Sequence, residues 1–154
     1  MLDNKGHPNR LGVWGWLGGG RWGFERYLYT LHRLTGLGLL VYFLLHIVVT
    51  SARAFGPEAW KVSMGAVSGE PGTARGLFFT GGEFLVFAAF AFHALNGIRL
   101  ALVELGFAIG NPIEPVYPYR TSVHEQRPLA IVMMLLAGIL LAGGGYNFFI
   151  HLSH

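Results

Sequence analysis

Three long apolar runs dominate the chain. Residues 34–52, 84–98 and 128–154 contain no aspartate, glutamate, lysine or arginine, and the second run continues back to Phe78 if Glu83 is tolerated. A helix needs about 20 residues to cross the hydrocarbon core of a bilayer, so each run with its flanks is long enough to cross once. The pattern predicts helices over about 29–51, 78–105 and 128–149.

The composition supports a membrane location. Hydrophobic residues make up 53% of the chain and charged residues only 12%, whereas soluble domains are about 25% charged. We therefore expect an all-α membrane protein with one domain over residues 34–154, preceded by an interfacial segment over residues 1–33. Trp14, Trp16 and Trp22 in that segment are typical of the headgroup level, although its glycine content also fits a flexible tail.

The basic residues predict the orientation. Three lie in the loop between the first two helices, and the other eight lie at the opposite end of the bundle. Short loops rich in lysine and arginine stay in the cytoplasm, so we expect a multi-pass protein of the inner cell membrane with a cytoplasmic N-terminus. The first group is Arg53, Lys61 and Arg75; the second is Lys5, Arg10, Arg21, Arg26, Arg33, Arg99, Arg120 and Arg127.

The chain has no cysteine. This excludes disulfides, iron–sulfur clusters and covalently attached haem from the chain itself. The basic residues do not cluster on one helix, so no nucleic-acid partner is expected.

His93 is the strongest candidate for chemistry. A histidine inside a membrane helix needs a partner and is a functional candidate by default. Gly97 lies one turn along the same face and leaves room for a flat macrocycle, while Arg99 lies about 9 Å further along the helix and can reach propionates. The pattern indicates a haem ligand; the alternative is a hydrogen bond between helices.

His46 repeats this situation on the first helix. Measured from Arg33 and Arg99, His46 lies about 20 Å deep and His93 about 9 Å deep, which predicts two separate haems that each need a further ligand from a partner subunit. Measured from the ends of the apolar runs the depths differ less, and one haem between the two histidines remains an alternative. Glu83 lies near the level of His46, either as a proton-transfer group or as a carboxylate at the outer interface.

Two motifs carry a resemblance to a known family. They are His32-Arg33-Leu34-Thr35-Gly36 and His93-Ala94-Leu95-Asn96-Gly97-Ile98-Arg99, the latter followed by Glu104. With three membrane helices, they resemble the cytochrome b556 (large membrane anchor) subunit of succinate dehydrogenase and fumarate reductase.

The resemblance implies roles for individual residues. His93 would be the axial ligand of haem b, and His46 matches a helix I ligand of two-haem relatives. His32, Arg99 and Gly97 would contact the cofactor, while Arg33, Tyr29 and Thr35 would line a quinone site. Tyr29 replaces the family's serine, Leu100 replaces a histidine and Glu104 replaces an aspartate. These departures favour menaquinone or another quinone over ubiquinone.

The implied function is electron transfer within a complex of the tricarboxylic acid cycle. The chain would anchor a flavoprotein and an iron–sulfur subunit, share one or two haems b with a second membrane anchor subunit, and pass electrons between the soluble subunits and membrane quinone, which is the substrate. No succinate-oxidising site is expected in this chain. Two rivals remain: a cytochrome b anchor of a hydrogenase or formate dehydrogenase, and a haem-free membrane scaffold or small transporter.

Overall fold

The computed structural model describes residues 23–108 and 125–151. Its elements are helical, and no strand occurs within these two ranges. This confirms the all-α fold with three helices long and apolar enough to cross a membrane. The predicted interfacial segment lies mostly outside the described residues. The elements are α1 (Phe24–Ser51), a 3₁₀ turn (Ala52–Phe55), α2 (Pro57–Val67), α3 (Ala74–Glu104), α4 (Arg127–Tyr146) and a π-helical turn (Asn147–His151).

Local signals set where the long helices begin. α1 begins at Phe24, directly after Gly23 with its positive φ of 109°, earlier than the apolar run alone indicates. Thr73 caps α3, since its hydroxyl accepts a hydrogen bond of 3.0 Å from the Gly76 amide. α4 carries a proline in its first turn, where the missing amide hydrogen costs nothing.

The connection between the first two membrane helices, for which the sequence indicated only a loop, contains the short helix α2. A proline begins this helix, and Trp60, Met64 and Val67 recur at helical spacing on one side. The Ser63 hydroxyl donates to the Val49 carbonyl of α1 at 3.0 Å. Arg75 Nη2 of α3 donates to the carbonyls of Gly65 and Ala66 at 2.7 and 2.9 Å. α2 is therefore fixed to both neighbouring helices.

α3 lies between α1 and α4 and packs against both. The three helices meet at a small core of Leu28, Phe92 and Ala130. At the same end of the bundle, Arg127 Nε donates to Glu25 Oε1 at 2.8 Å and joins α4 to α1.

Most of the apolar surface faces outward. Within the most apolar window of each span, only 6%, 22% and 11% of the residues are buried, in chain order. α3 is the most enclosed helix because it has neighbours on two sides. The exposed apolar faces are suited to lipid or to further membrane helices.

Candidate functional site

One stripe of α1 carries both candidate histidines of that helix. Its residues lie alternately four and three positions apart along the sequence, a spacing that keeps them on one side of a helix. Leu28 and Leu39 on this stripe are buried. The residues of this inner stripe are Leu28, His32, Thr35, Leu39, Tyr42 and His46.

His32 of α1 and His93 of α3 stack on each other. Their ring centroids lie 3.9 Å apart, and the ring planes differ by only 6°. The two motif histidines, distant in the sequence, are therefore adjacent and at the same level of the bundle. Such stacking covers one face of the His93 ring and leaves its edge open.

Hydrogen bonds define the protonation of His93. Its Nδ1 lies 3.1 Å from the His32 carbonyl oxygen and 3.2 Å from Thr35 Oγ1. A carbonyl only accepts hydrogen bonds, so Nδ1 must carry the proton and donate it. In neutral imidazole this leaves a lone pair on Nε2, the arrangement typical of metal-binding histidines.

Gly36 allows α1 to approach His93. A β-carbon at Gly36 would lie 2.8 Å from His93 Cε1, too close for an alanine without movement of the ring. A β-carbon at Gly97 would lie 3.5 Å from His32 Cε1, an ordinary van der Waals distance. The His93 ring therefore fits against α1 only because residue 36 has no side chain. Gly97 lies beside His32 instead.

A second polar pair lies further along α3. Asn96 is 0% and Arg99 only 3% exposed, and Arg99 Nε donates to Asn96 Oδ1 at 3.0 Å. A buried cation in a membrane bundle needs such a partner. His32 Nδ1 and Asn96 Nδ2 are buried and find no hydrogen-bond partner within the described residues, which leaves polar positions for a bound group.

The three residues that the resemblance assigns to quinone binding do not lie together. The Arg33 guanidinium lies 5.5 Å from the centre of the Tyr29 ring, and both side chains are on the exposed side of α1. Thr35 instead belongs to the inner stripe and contacts His93. The described residues therefore offer two separate groups of polar side chains.

At the far end of the inner stripe, α1, α2 and α3 line a partly open cavity of about 670 Å³. Its lining is mainly apolar and includes Tyr42, Trp60 and Phe79, with His46 and Glu83 as titratable groups. The Tyr42 and His46 rings lie 5.6 Å apart. Because His46 is about 21 Å along α1 from His32 at the helical rise, it belongs to a different level from His93.

The donor set suits a metal held by a macrocycle. The described part of the chain contains no group of three or more histidine, cysteine, aspartate or glutamate side chains that could hold a metal ion. A metal that takes four of its bonds from a macrocycle needs only one or two histidines from protein. The stacked His32 covers a face of the His93 ring and not its edge.

Sequence reasoning did not assign roles to Asn96 or Gly36. The signal for Asn96 was available, since it lies midway between His93 and Arg99 at intervals of three residues. Gly36 was visible only as one of many small residues suited to helix packing. Its specific neighbour depends on how α1 and α3 are aligned.

Comparison with known proteins gives one match. The family model described as succinate dehydrogenase/fumarate reductase transmembrane subunit matches residues 13–142. The match includes both motifs and all of α1, α2 and α3. Searches of curated proteins and of solved structures gave no match.

Proposed function

Because the chain belongs to the succinate dehydrogenase/fumarate reductase transmembrane subunit family, we propose that it is the membrane anchor and haem b subunit of a succinate:quinone oxidoreductase. It passes electrons between flavin and iron–sulfur subunits and membrane quinone.

The observation that carries this proposal is the state of His93. Its Nδ1 faces two oxygens of α1, a backbone carbonyl and a hydroxyl, which favours the neutral tautomer with the proton on Nδ1 and a lone pair on Nε2 for a metal bond. The hydrogen bond between His93 Nδ1 and the His32 carbonyl oxygen also fixes the orientation of the His93 ring. A fixed ring orientation is needed in a metal ligand.

The residues around His93 fit haem b. His93 would supply one axial ligand, with the second supplied by the other membrane anchor subunit. The amide donor of Asn96, which has no partner within the described residues, and the Arg99 charge suit propionates. When bound, haem supplies a one-electron carrier; the chain supplies ligation, burial and polarity.

His46 is the candidate ligand of a second haem. It lines the cavity of about 670 Å³ with Glu83, at a different level from His93. A mainly apolar cavity with few polar groups is the usual character of a cofactor site. A further ligand from the partner anchor would complete it.

Quinone binding is proposed for Arg33 and Tyr29. Both lie on the exposed side of α1, so a neighbouring subunit is needed to close the pocket around the quinone. The short distance from Arg33 to the Tyr29 ring positions the guanidinium, which can donate to a quinone carbonyl. The chain's N-terminal side would face the cytoplasm and receive the iron–sulfur subunit and flavoprotein.

Reduced-minus-oxidised spectroscopy of the purified complex tests the haem assignment. We expect b-type absorbance in the wild-type complex and loss of a band in His93→Ala. His46→Ala should remove a different band and keep the one that depends on His93. Co-purification with a succinate-oxidising flavoprotein tests the partners.

Three results would each contradict a part of the proposal. Absence of any b-type band from the assembled complex would support the haem-free scaffold. Association with a hydrogenase or formate dehydrogenase alone would reject the proposed complex. Retention of both bands in His46→Ala would reject the second haem and leave the first.

A further inference from the structure

Thr35 contacts the candidate ligand rather than the exposed side of α1. Its Oγ1 lies 2.9 Å from the Leu31 carbonyl oxygen and 3.0 Å from the His32 carbonyl oxygen. It also lies 3.2 Å from His93 Nδ1. One hydroxyl oxygen therefore joins two backbone carbonyls of α1 to the ligand histidine of α3.

The direction of these hydrogen bonds follows from the available protons. A threonine hydroxyl has one hydrogen, and the two carbonyls can only accept it. Thr35 therefore donates to its own helix and offers a lone pair to His93. Since the His32 carbonyl faces the same nitrogen at 3.1 Å, an unprotonated Nδ1 would set lone pairs against each other.

We propose that Thr35 is a positioning residue that holds His93 in its Nδ1-protonated form and raises the basicity of the Nε2 that binds iron. This inference rests on the proposed function, because it assumes that His93 is a haem ligand. The His32 carbonyl and Thr35 Oγ1 act as paired acceptors. Their position is set by α1, and Thr35 is oriented by its bond to the turn before it.

The consequence concerns the haem's reduction equilibrium. A hydrogen bond from Nδ1 makes the imidazole more electron-rich, which stabilises ferric iron relative to ferrous iron. Removing one of two acceptors should shift the equilibrium toward the reduced form. A rise in the ratio of reduced to oxidised haem is specific to the lost hydrogen bond, since looser packing alone does not require the reduction potential to rise.

The test is redox titration of the haem that depends on His93, in the purified complex. Thr35→Val keeps the shape of the side chain and removes the acceptor. At fixed ambient potential we expect the reduced-to-oxidised ratio to rise about threefold to tenfold, the range that one neutral hydrogen bond accounts for. Tenfold corresponds to about 59 mV for one electron.

Two variants serve as controls. Thr35→Ser restores the hydroxyl and should return the ratio to within about twofold of wild type, a smaller change than the loss of one hydrogen bond. Ser51→Ala removes a hydroxyl of the same helix that, among the described residues, donates to the Val48 carbonyl and to no residue of α3, and it should leave the titration unchanged. Pulsed electron paramagnetic resonance of the wild-type ferric haem should show an exchangeable proton on the remote nitrogen of its histidine.

The outcomes distinguish the positioning role of Thr35 from the haem assignment of His93. An unchanged potential in Thr35→Val, with the His93-dependent band present, would overturn the positioning role and leave the haem assignment intact. A remote nitrogen without an exchangeable proton would overturn it even if Thr35→Val did not assemble. Absence of a His93-dependent band from the wild-type complex would instead reject the proposed function.

Discussion

The two ends of the inner stripe of α1 meet α3 in different ways. In the His93 half, His32, Thr35 and Gly36 contact α3 directly, and rings stack at 3.9 Å. In the cavity half, Tyr42 and His46 face a partly open cavity of about 670 Å³. One continuous helical face thus provides a close polar junction and an open apolar chamber.

Glycine has opposite roles in the two halves of the stripe. Gly36 lets α1 approach His93 so closely that a β-carbon would overlap the ring. At the other end, Gly82 lines the cavity, and a β-carbon there would meet nothing within 4 Å. A glycine in the His93 half makes contact between the helices tighter, whereas one in the cavity half preserves space.

The largest expected effect is that of Gly36→Ala. The added β-carbon would displace the His93 ring, so we expect loss of most of the His93-dependent b-type absorbance and destabilisation by about 1–3 kcal/mol, as for overpacked cores. Absorbance per assembled complex and thermal unfolding measure the two effects. Gly38→Ala is the matched control, because its β-carbon meets nothing within 4 Å.

Gly97→Ala, on α3, tests whether Gly36 or Gly97 is the glycine that makes room for the His93 ring. Its β-carbon would stand 3.5 Å from His32 Cε1, an ordinary contact, so the band should persist. Loss of haem in Gly97→Ala with full retention in Gly36→Ala would show that the clearance was assigned to the wrong glycine.

For Asn96→Leu we expect an effect on stability, without the loss of haem absorbance that is expected for Gly36→Ala. This change removes the acceptor from a buried guanidinium, and hydrogen bonds to charged groups contribute about 1.5–3 kcal/mol. Unfolding of the purified complex should shift accordingly toward lower denaturant. Asn96→Asp is the control, because it keeps an acceptor oxygen for Arg99. Equal stability of the leucine variant and the wild type would argue against a structural role for the pair.

The smallest effect on stability is expected in the cavity half. Gly82→Leu should fill space without collision and change the free energy of unfolding by no more than about 0.5 kcal/mol. It should nevertheless remove the His46-dependent band and keep the His93-dependent one. Gly81→Leu, also in open space but not part of the cavity lining, should keep both. A second band that survives Gly82→Leu would place that cofactor elsewhere.

The apolar runs were sufficient to predict the three membrane helices. Their lengths follow from the thickness of the bilayer, and no other structure satisfies the backbone of such runs in lipid. The short helix α2 was not predicted, because eleven residues of mixed character give a weak periodic signal. Its proline at the start and its spaced Trp60, Met64 and Val67 were the usable signs.

The candidate site was only partly predictable. His93 could be identified from the sequence because an ionisable side chain inside a membrane helix is costly and usually has a function. Its stacking on His32 and its contact with Thr35 depend on the alignment of α1 with α3, which hydrophobicity does not specify. The same limit led to Gly97, a sequence neighbour of His93, being preferred over Gly36, which is its neighbour in space.

The bonds from Arg75 to the end of α2 have a consequence for assembly. A helix of eleven residues is marginal on its own, and its last carbonyls are satisfied by a side chain that belongs to α3. The part of the cavity lining that α2 forms is therefore fixed by α3, which is synthesised after α2. Before α3 is in place, α1 and α2 can offer only an open groove on the side of His46, and the cavity takes its final shape when α3 packs against both helices.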